Sequence, residues 1–320
     1  MREIGGYIEF ENYDGNIFHE RAIPLNSGRN CLRYLIKSRN IKKIALPYFL
    51  CDSVINLCKK EKLKIVFYHV NQDLLPCIKN LEKDTWLYIV NYYAQIPTSN
   101  LIGYAKEFNN RIIVDNAQAY FEMPIEGIDT IYTCRKFLGV SDGAFLYTNK
   151  ILNEKFPQDE SFNRMNFLLG RYERTASEFY KEYVENNKMF SNEPIKFMSK
   201  LTENLLRGIN YKDVINIRSL NFEYLAKSFE NINKLRINNS TGMFAYPLWI
   251  KNGYKIRKKL LSKKIYIPTL WPNVINELPN NCLEFDLAMN ILPIPCDQRY
   301  DIRDMKYIVE EVRKCLNSEN

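Results

Sequence analysis

Residues 111–148 read RIIVDNAQAYFEMPIEGIDTIYTCRKFLGVSDGAFLYT. The apolar run Ile112-Ile113-Val114 ends on a carboxylate, Asp115, and a second run at 128–132 leads into Thr133-Cys134-Arg135-Lys136. After a glycine-containing turn, a third run covers 144–147. Short apolar runs bounded by turn signals predict buried strands. Strands that end in an acid and in a lysine bring both groups to one edge of a sheet, where open α/β folds bind ligands. A lysine can form a Schiff base with a carbonyl. A carboxylate beside a pyridinium nitrogen is the other requirement of pyridoxal phosphate (PLP) chemistry, so Asp115 and Lys136 are the first candidate site.

Upstream the chain alternates between two periods. Residues 44–47, 64–70 and 85–91 predict strands, and 52–60, 74–81 and 101–108 predict helices; the strand at 85–91 ends in Asn91-Tyr92-Tyr93-Ala94-Gln95. Repeats of this kind predict an α/β fold with a mostly parallel sheet sandwiched by helices. Before them, Asn26 or Ser27 can cap a helix that carries Leu32, Leu35 and Ile36 on one face. Gly28 lets backbone N–H groups approach a ligand there. Such a turn either seats a phosphate or serves as an ordinary cap. The first 22 residues offer only alternation at 7–10 and an Asp14-Gly15 turn signal, which predicts a hairpin or edge strand.

Beyond residue 150 the pattern becomes helical, from about 160 to 231, with Arg171, Glu173, Arg174, Glu178 and Lys181 at i,i+3 and i,i+4 spacing. A turn at 238–242 opens a last lobe: strands near 245–250, 265–268 and 290–294, a helix between the first two, and a closing helix over 301–316. The expected division is a large cofactor-binding domain, 1–235, and a small C-terminal α+β domain, 236–320.

At 320 residues and 46% hydrophobic, the chain can bury the core that two such domains need. The net charge is +8, but acids and bases are interspersed, so a solvated surface is preferred over a nucleic-acid patch. Eight cysteines form no C-x-x-C pair and the chain has two histidines, which argues against a zinc site and for free thiols in a cytoplasmic protein. No apolar run approaches the roughly 20 residues that cross a bilayer, and the N-terminus opens polar, so neither a membrane span nor a signal peptide is expected. Neither G-x-G-x-x-G nor G-x-x-x-x-G-K-[ST] occurs, which removes the main support for dinucleotide and P-loop readings.

Four segments in order, SGRN at 27–30, NYYAQ at 91–95, VDNAQA at 114–119 and CRKFLGVSDGA at 134–144, resemble motifs of the DegT-like nucleotide-sugar aminotransferases. In that family they read approximately S-G-T-A, H-L-Y-G-Q, E-D-A-A-Q-A and P-T-K-N-L-G-A-G-E-G-G. LPIPCDQRY at 292–300 is similar to the family's C-terminal strand and turn, so the likeness spans about 22 to 315. The resemblance implies a fold type I PLP-dependent transferase. It implies that Lys136 holds the cofactor and shuttles the proton, and that Asp115 keeps the pyridine nitrogen protonated. Gln118 would lie beside the phenolic oxygen, and Ser27, Gly28, Arg29 and Asn30 on the phosphate turn. Asn210 matches an asparagine that reaches the neighbouring subunit's cofactor, which implies a homodimer with shared sites. The chain departs from the pattern at three places. Arg29 replaces a small hydroxyl residue, and Ile131 takes a serine's position, with Thr133 or Tyr132 as substitutes. Cys51 stands where an aromatic stacks on the ring, leaving Phe49, Tyr48 or Tyr93 for that role.

The implied activity is transfer of an amino group from an amino acid, glutamate first among donors, to a nucleotide-linked keto sugar, in amino-sugar or surface-glycan biosynthesis. The family's dehydratases carry histidine at the lysine position, so Lys136 argues against that route. Two alternatives stay open: a PLP enzyme acting on a non-sugar substrate, and a protein that keeps the fold without the chemistry.

Overall fold

The computed structural model describes residues 4–78, 81–238 and 241–318. The first half builds one sheet from β1 (Ile23–Leu25), β2 (Lys43–Pro47), β3 (Lys64–Val70), β4 (Pro76–Cys77), β5 (Trp86–Val90), β6 (Ile112–Asp115), β7 (Asp129–Thr133) and β8 (Ala144–Tyr147). Helices α1 (Gly28–Ser38), α2 (Asp52–Lys60) and α3 (Thr98–Glu107) connect its early strands. Among the described residues the strand order is β1-β8-β7-β6-β5-β2-β3-β4. The central pairs β7–β6, β6–β5, β5–β2 and β2–β3 are parallel; β8 is antiparallel to both β7 and β1. Two reversals in succession make β1 run with β7. The carboxyl ends of β1, β2, β5, β6 and β7 therefore share one edge.

Ile44, Leu46, Leu87, Ile112 and Ile113 are fully buried. Each such side chain contributes about 1.5–3 kcal/mol relative to an exposed position. Continuous burial explains why these strands read as unbroken apolar runs rather than as alternation. Helix α1 is set against the sheet by a forked ion pair. Arg39, its C-cap, donates Nε to Asp129 Oδ2 at 2.8 Å and Nη2 to Oδ1 at 2.7 Å, at the start of β7. Paired to an almost wholly buried carboxylate, this guanidinium aligns α1 with β7 along its length.

The second half is helical: α4 (Asn166–Glu173), α5 (Tyr180–Met189), α6 (Lys200–Arg207) and α7 (Tyr211–Phe229). A two-stranded antiparallel sheet of β9 (Tyr246–Trp249) and β10 (Ile291–Ile294) follows, with α8 (Gly253–Ser262), α9 (Pro272–Glu277), α10 (Leu283–Asn290) and α11 (Ile302–Asn317). Its core, including Leu248, Leu260, Leu292 and Val312, takes in Phe222, Leu225 and Phe229 of α7.

Four expectations fail. Residues 7–10 form no strand: Tyr7 is 98% and Ile8 88% exposed, because no strand among the described residues pairs with them. The sheet's edge is β1 instead, too short to show alternation. Residues 74–78 turn back on β3 as the β4 bridge rather than as a helix, with Leu74 at φ 62 and Pro76 where a helix would need an N–H; residues 79–80 lie outside the described residues. Residues 265–268 form no strand with any of the described residues, and Ile265 and Ile267 are buried in the same core as Leu248 and Leu292. Helices α9 and α10 went unread, because they are short and Pro279 punctuates them. The turn foreseen at 238–242 is described only at its ends, since 239–240 lie outside the described residues.

Candidate active site

Asp115 closes β6 and Thr133 closes β7, with Asp115 opposite Ile131 in the ladder; Lys136 stands three residues past that strand end. Ser27 follows β1 on the same edge and starts α1. Its extended backbone (φ −159, ψ 154) turns Oγ back to accept the Asn30 N–H at 3.3 Å. Next to it, Gly28 lies against β7 so closely that a Cβ would stand 2.8 Å from Thr133 Cγ2. Thr133 Oγ1 is sealed from solvent and has no hydrogen-bond partner among the described residues. An orphaned hydroxyl beside a glycine at a helix N-terminus is the chemistry that suits a phosphate group, so the residues fit that end of PLP.

Asp115 is fixed on both oxygens. Tyr88 Oη donates to Oδ2 at 2.7 Å and the Ala117 N–H to Oδ1 at 2.8 Å. Burial, then the charge of Asp115, holds the Tyr88 phenol well above its usual range, so it stays a donor. A carboxylate with two acceptor sites per oxygen keeps room for a further N–H, as a pyridinium would present. Cys31 of α1 is buried close enough for the same charge to add to burial in raising its thiol.

Gln118 Oε1 accepts the Tyr93 N–H at 2.9 Å. This steadies the turn after β5, where Tyr93 and Ala94 hold φ 53 and 58. The Tyr93 ring is itself buried, and burial raises its phenol against the lowering charge of Arg257.

Several other expected contacts already bond within the chain. Asn30 donates to Asn26 Oδ1 (2.8 Å) and the Pro194 carbonyl (2.6 Å) and accepts from Arg33 Nη1 (2.7 Å), so its side chain serves the scaffold. Arg29 donates to Ser191 Oγ and the Asn187 carbonyl at the end of α5. Asn210 is the N-cap of α7 and its amide engages Asp213 within its own chain. Tyr48 stacks on Phe67 with ring centres 5.1 Å apart, while Phe49 packs on Trp271 and Tyr92. Cys51 Sγ contacts Ser53 Oγ. Arg299 forks onto Asp297 at 2.6 and 2.8 Å.

Lys136 is exposed, its Nζ 5.9 Å from the ring centre of Phe244 at the entrance to the C-terminal lobe. The loop carrying it is pinned on both sides. Asp142, fully buried, accepts from the Ser199 N–H (2.8 Å), Ser199 Oγ (2.7 Å) and Thr202 Oγ1 at the start of α6. Arg218 of α7, equally buried, donates to the carbonyls of Phe137 (3.0 Å) and Met243 (2.8 Å) and to Gln298 Oε1 (2.7 Å). Tyr88, Asp142 and Arg218 escaped the sequence reading. Tyr88 and Arg218 signal only a polar group inside an apolar stretch, and Asp142 only an acid in a glycine turn, neither of which says what is bound. Among the described residues no cluster of histidine, cysteine and carboxylates suits a metal ion, and no helix is long and apolar enough to cross a membrane.

No family model and no curated protein matches the sequence. Solved structures do match in three dimensions. DesV of S. venezuelae aligns at 14% identity and TM-score 0.66, over 92% of this chain and 84% of its own. The sugar aminotransferase CalS13 of Micromonospora echinospora aligns at 13% identity and TM-score 0.63, over 93% and 88%. A DegT DnrJ EryC1 StrS aminotransferase of Brucella abortus aligns at 13% and 0.63, over 92% and 85%. The architecture is therefore that of the fold type I transferases. Within it, the chain shares its fold with the sugar aminotransferases of the DegT type; at 13–14% identity, the fold is what is shared.

Proposed function

We propose that the chain is a PLP-dependent aminotransferase. It would take an amino group from an amino acid, glutamate in the reading we favour, and pass it to a nucleotide-linked keto sugar for amino-sugar or surface-glycan synthesis. The observation that carries this is the meeting, on one sheet edge, of the anchored carboxylate Asp115, the loop lysine Lys136 and the Gly28–Thr133 phosphate seat. The fold supports it, being the one in which the named sugar aminotransferases above are built.

In this reading Ser27, Gly28 and Thr133 hold the phosphate, through the N–H groups of α1 and the Thr133 hydroxyl. Asp115 holds the pyridine nitrogen protonated, oriented by Tyr88 and the Ala117 N–H. Gln118 Nε2, which makes no hydrogen bond among the described residues, lies on the side assigned to the phenolic oxygen. Lys136 carries the cofactor and moves the proton at the amino acid's α-carbon. The bound cofactor supplies the electron sink that makes that carbon acidic. Two copies sharing sites would complete the phosphate contacts, with the amide of Asn210 exchanging Asp213 for the neighbouring copy. A division of the chain near residue 236 and a cytoplasmic location belong to the same reading; the eight free cysteines suit a reducing compartment.

The test is the absorbance spectrum of purified protein with PLP, before and after borohydride, beside Lys136→Ala. Wild type is expected to show a band that borohydride removes while fixing the cofactor to Lys136, and the variant is expected to lose it. A variant that still takes up the cofactor covalently would move the lysine assignment elsewhere. The exposure of Lys136 and the committed side chain of Asn30 favour a second reading, a protein that keeps the fold without the chemistry. A colourless wild type whose spectrum does not change with PLP would select it.

A further inference from the structure

Three arginines converge on the C-terminal end of α5. Arg164 lies 5.4 Å from the ring centre of the buried Phe190 and is neutralised by Asp159 at 2.9 Å. Arg29 bonds only neutral acceptors, the Asn187 carbonyl and Ser191 Oγ, on either side of Phe190; the Asp52 carboxylate lies close enough for its charge to act on it. Arg135, the residue before Lys136, stacks its guanidinium 4.7 Å from the centre of the Phe190 ring and makes no hydrogen bond or ion pair among the described residues. Asp142, the carboxylate whose charge acts on it, already accepts from Ser199 and Thr202. Burial pushes Arg135 down to about 10, with the charges of Arg29 and Arg164 adding to the fall, so it stays cationic at neutral pH.

A guanidinium carries five donors in a planar fork. None of the five is taken by a protein acceptor or sealed from solvent among the described residues, so the fork is open to an anion beside the second cation, Arg29. Phe190 holds the fork flat, and the flanking carbonyl and hydroxyl hold Arg29 next to the start of α1, whose N-terminal N–H groups also favour negative charge. Thr133, two residues before Arg135, adds an unpartnered buried hydroxyl on the same strand end.

We propose that Arg135, with Arg29, forms a binding subsite for a phosphate-type anion beside the N-terminus of α1. Two sources supply that chemistry, the cofactor's phosphate ester and a phosphate of the acceptor substrate, and only the first depends on the function proposed above. Arg135 takes over charge neutralisation in a phosphate turn where Asn30 is committed to the scaffold.

Inorganic phosphate is titrated against thermal stability at constant ionic strength, for wild type, Arg135→Met and Arg135→Lys. PLP, unphosphorylated pyridoxal and uridine diphosphate are titrated alongside by absorbance or calorimetry. Phosphate is expected to stabilise wild type and to bind Arg135→Met about tenfold more weakly, as loss of a charge-assisted hydrogen bond implies, with Arg135→Lys between them. If the cofactor's phosphate is the anion, the Met variant binds PLP about tenfold more weakly and pyridoxal unchanged. If the substrate's phosphate is the anion, PLP and pyridoxal are unchanged and uridine diphosphate weakens instead. Wild type that binds phosphate but not PLP keeps this subsite and sinks the aminotransferase reading. Wild type insensitive to phosphate, or a Met variant that binds all four ligands as wild type does, overturns the subsite and leaves Arg135 as packing on Phe190. Should the Met variant fail to fold, the wild-type titration and the Lys variant decide.

Discussion

His19 shows how strongly one residue ties the N-terminal segment to the sheet. It is wholly buried, with Nε2 2.7 Å from the Tyr120 carbonyl, Nδ1 3.2 Å from Tyr147 Oη, and its ring 4.0 Å from that of Tyr132. Burial pulls its pKa from 6.5 to about 4, against a smaller raising contribution from the Tyr120 carbonyl. Between those two values the unfolded chain binds the proton and the folded chain does not, so stability is complete above 6.5 and is lost as pH falls toward 4. We expect urea titrations at pH 7 and pH 5 to differ by about 2 kcal/mol on this account, and His19→Gln to abolish most of that difference. An unchanged slope in the variant would place the proton uptake on other groups. The sequence made His19 visible only as one of two histidines; that it is neutral follows from the five aromatic rings the fold packs around it.

Among the elements, α1 positions most of the candidate site. Arg39 and Asp129 hold its far end to the start of β7, while Gly28 and Thr133 touch at the other end. Only glycine permits that approach: an alanine Cβ would fall 2.8 Å from Thr133 Cγ2. Gly28→Ala is therefore expected to lose about 1–3 kcal/mol of stability through overpacking, although alanine is the better helix former, and to weaken PLP at least tenfold. Thr133→Ser removes the offending methyl and keeps the hydroxyl, so Gly28→Ala with Thr133→Ser should recover both. Recovery of stability alone would separate the helix contact from the phosphate contact. The cap at Ser27 was legible, because Ser-Gly before an apolar helical face has few other uses. The touch between Gly28 and Thr133 was not, because it joins residues more than a hundred positions apart.

For the whole molecule, Arg218 joins the loop after β7 to the segment before β9 and the turn after β10. Its guanidinium bonds the carbonyl of Phe137, next to Lys136, and at the same time Met243 and Gln298. Gln298 Nε2 donates to the same Phe137 carbonyl at 2.8 Å. Arg218→Met strands buried acceptors and should cost about 3 kcal/mol in denaturant titrations. Because the joint steadies the loop after Lys136, cofactor affinity should fall as well, while Arg218→Lys recovers stability only in part, lacking the fork. Full cofactor affinity in a destabilised Met variant would confine Arg218 to holding the lobes together. By itself the sequence determined the alternation of strands and helices, the strand-end placement of Asp115 and Lys136, and the capped glycine turn that starts α1. Each of these is written in contiguous residues, as burial period, cap and breaker. Only the tertiary structure decided that Asn30 turns to the scaffold, that Tyr48 and Phe49 are occupied by other rings, and that Arg135 lies over the Phe190 ring. Those outcomes depend on which distant side chains reach a hydrogen-bonding group first, and local sequence does not encode that competition.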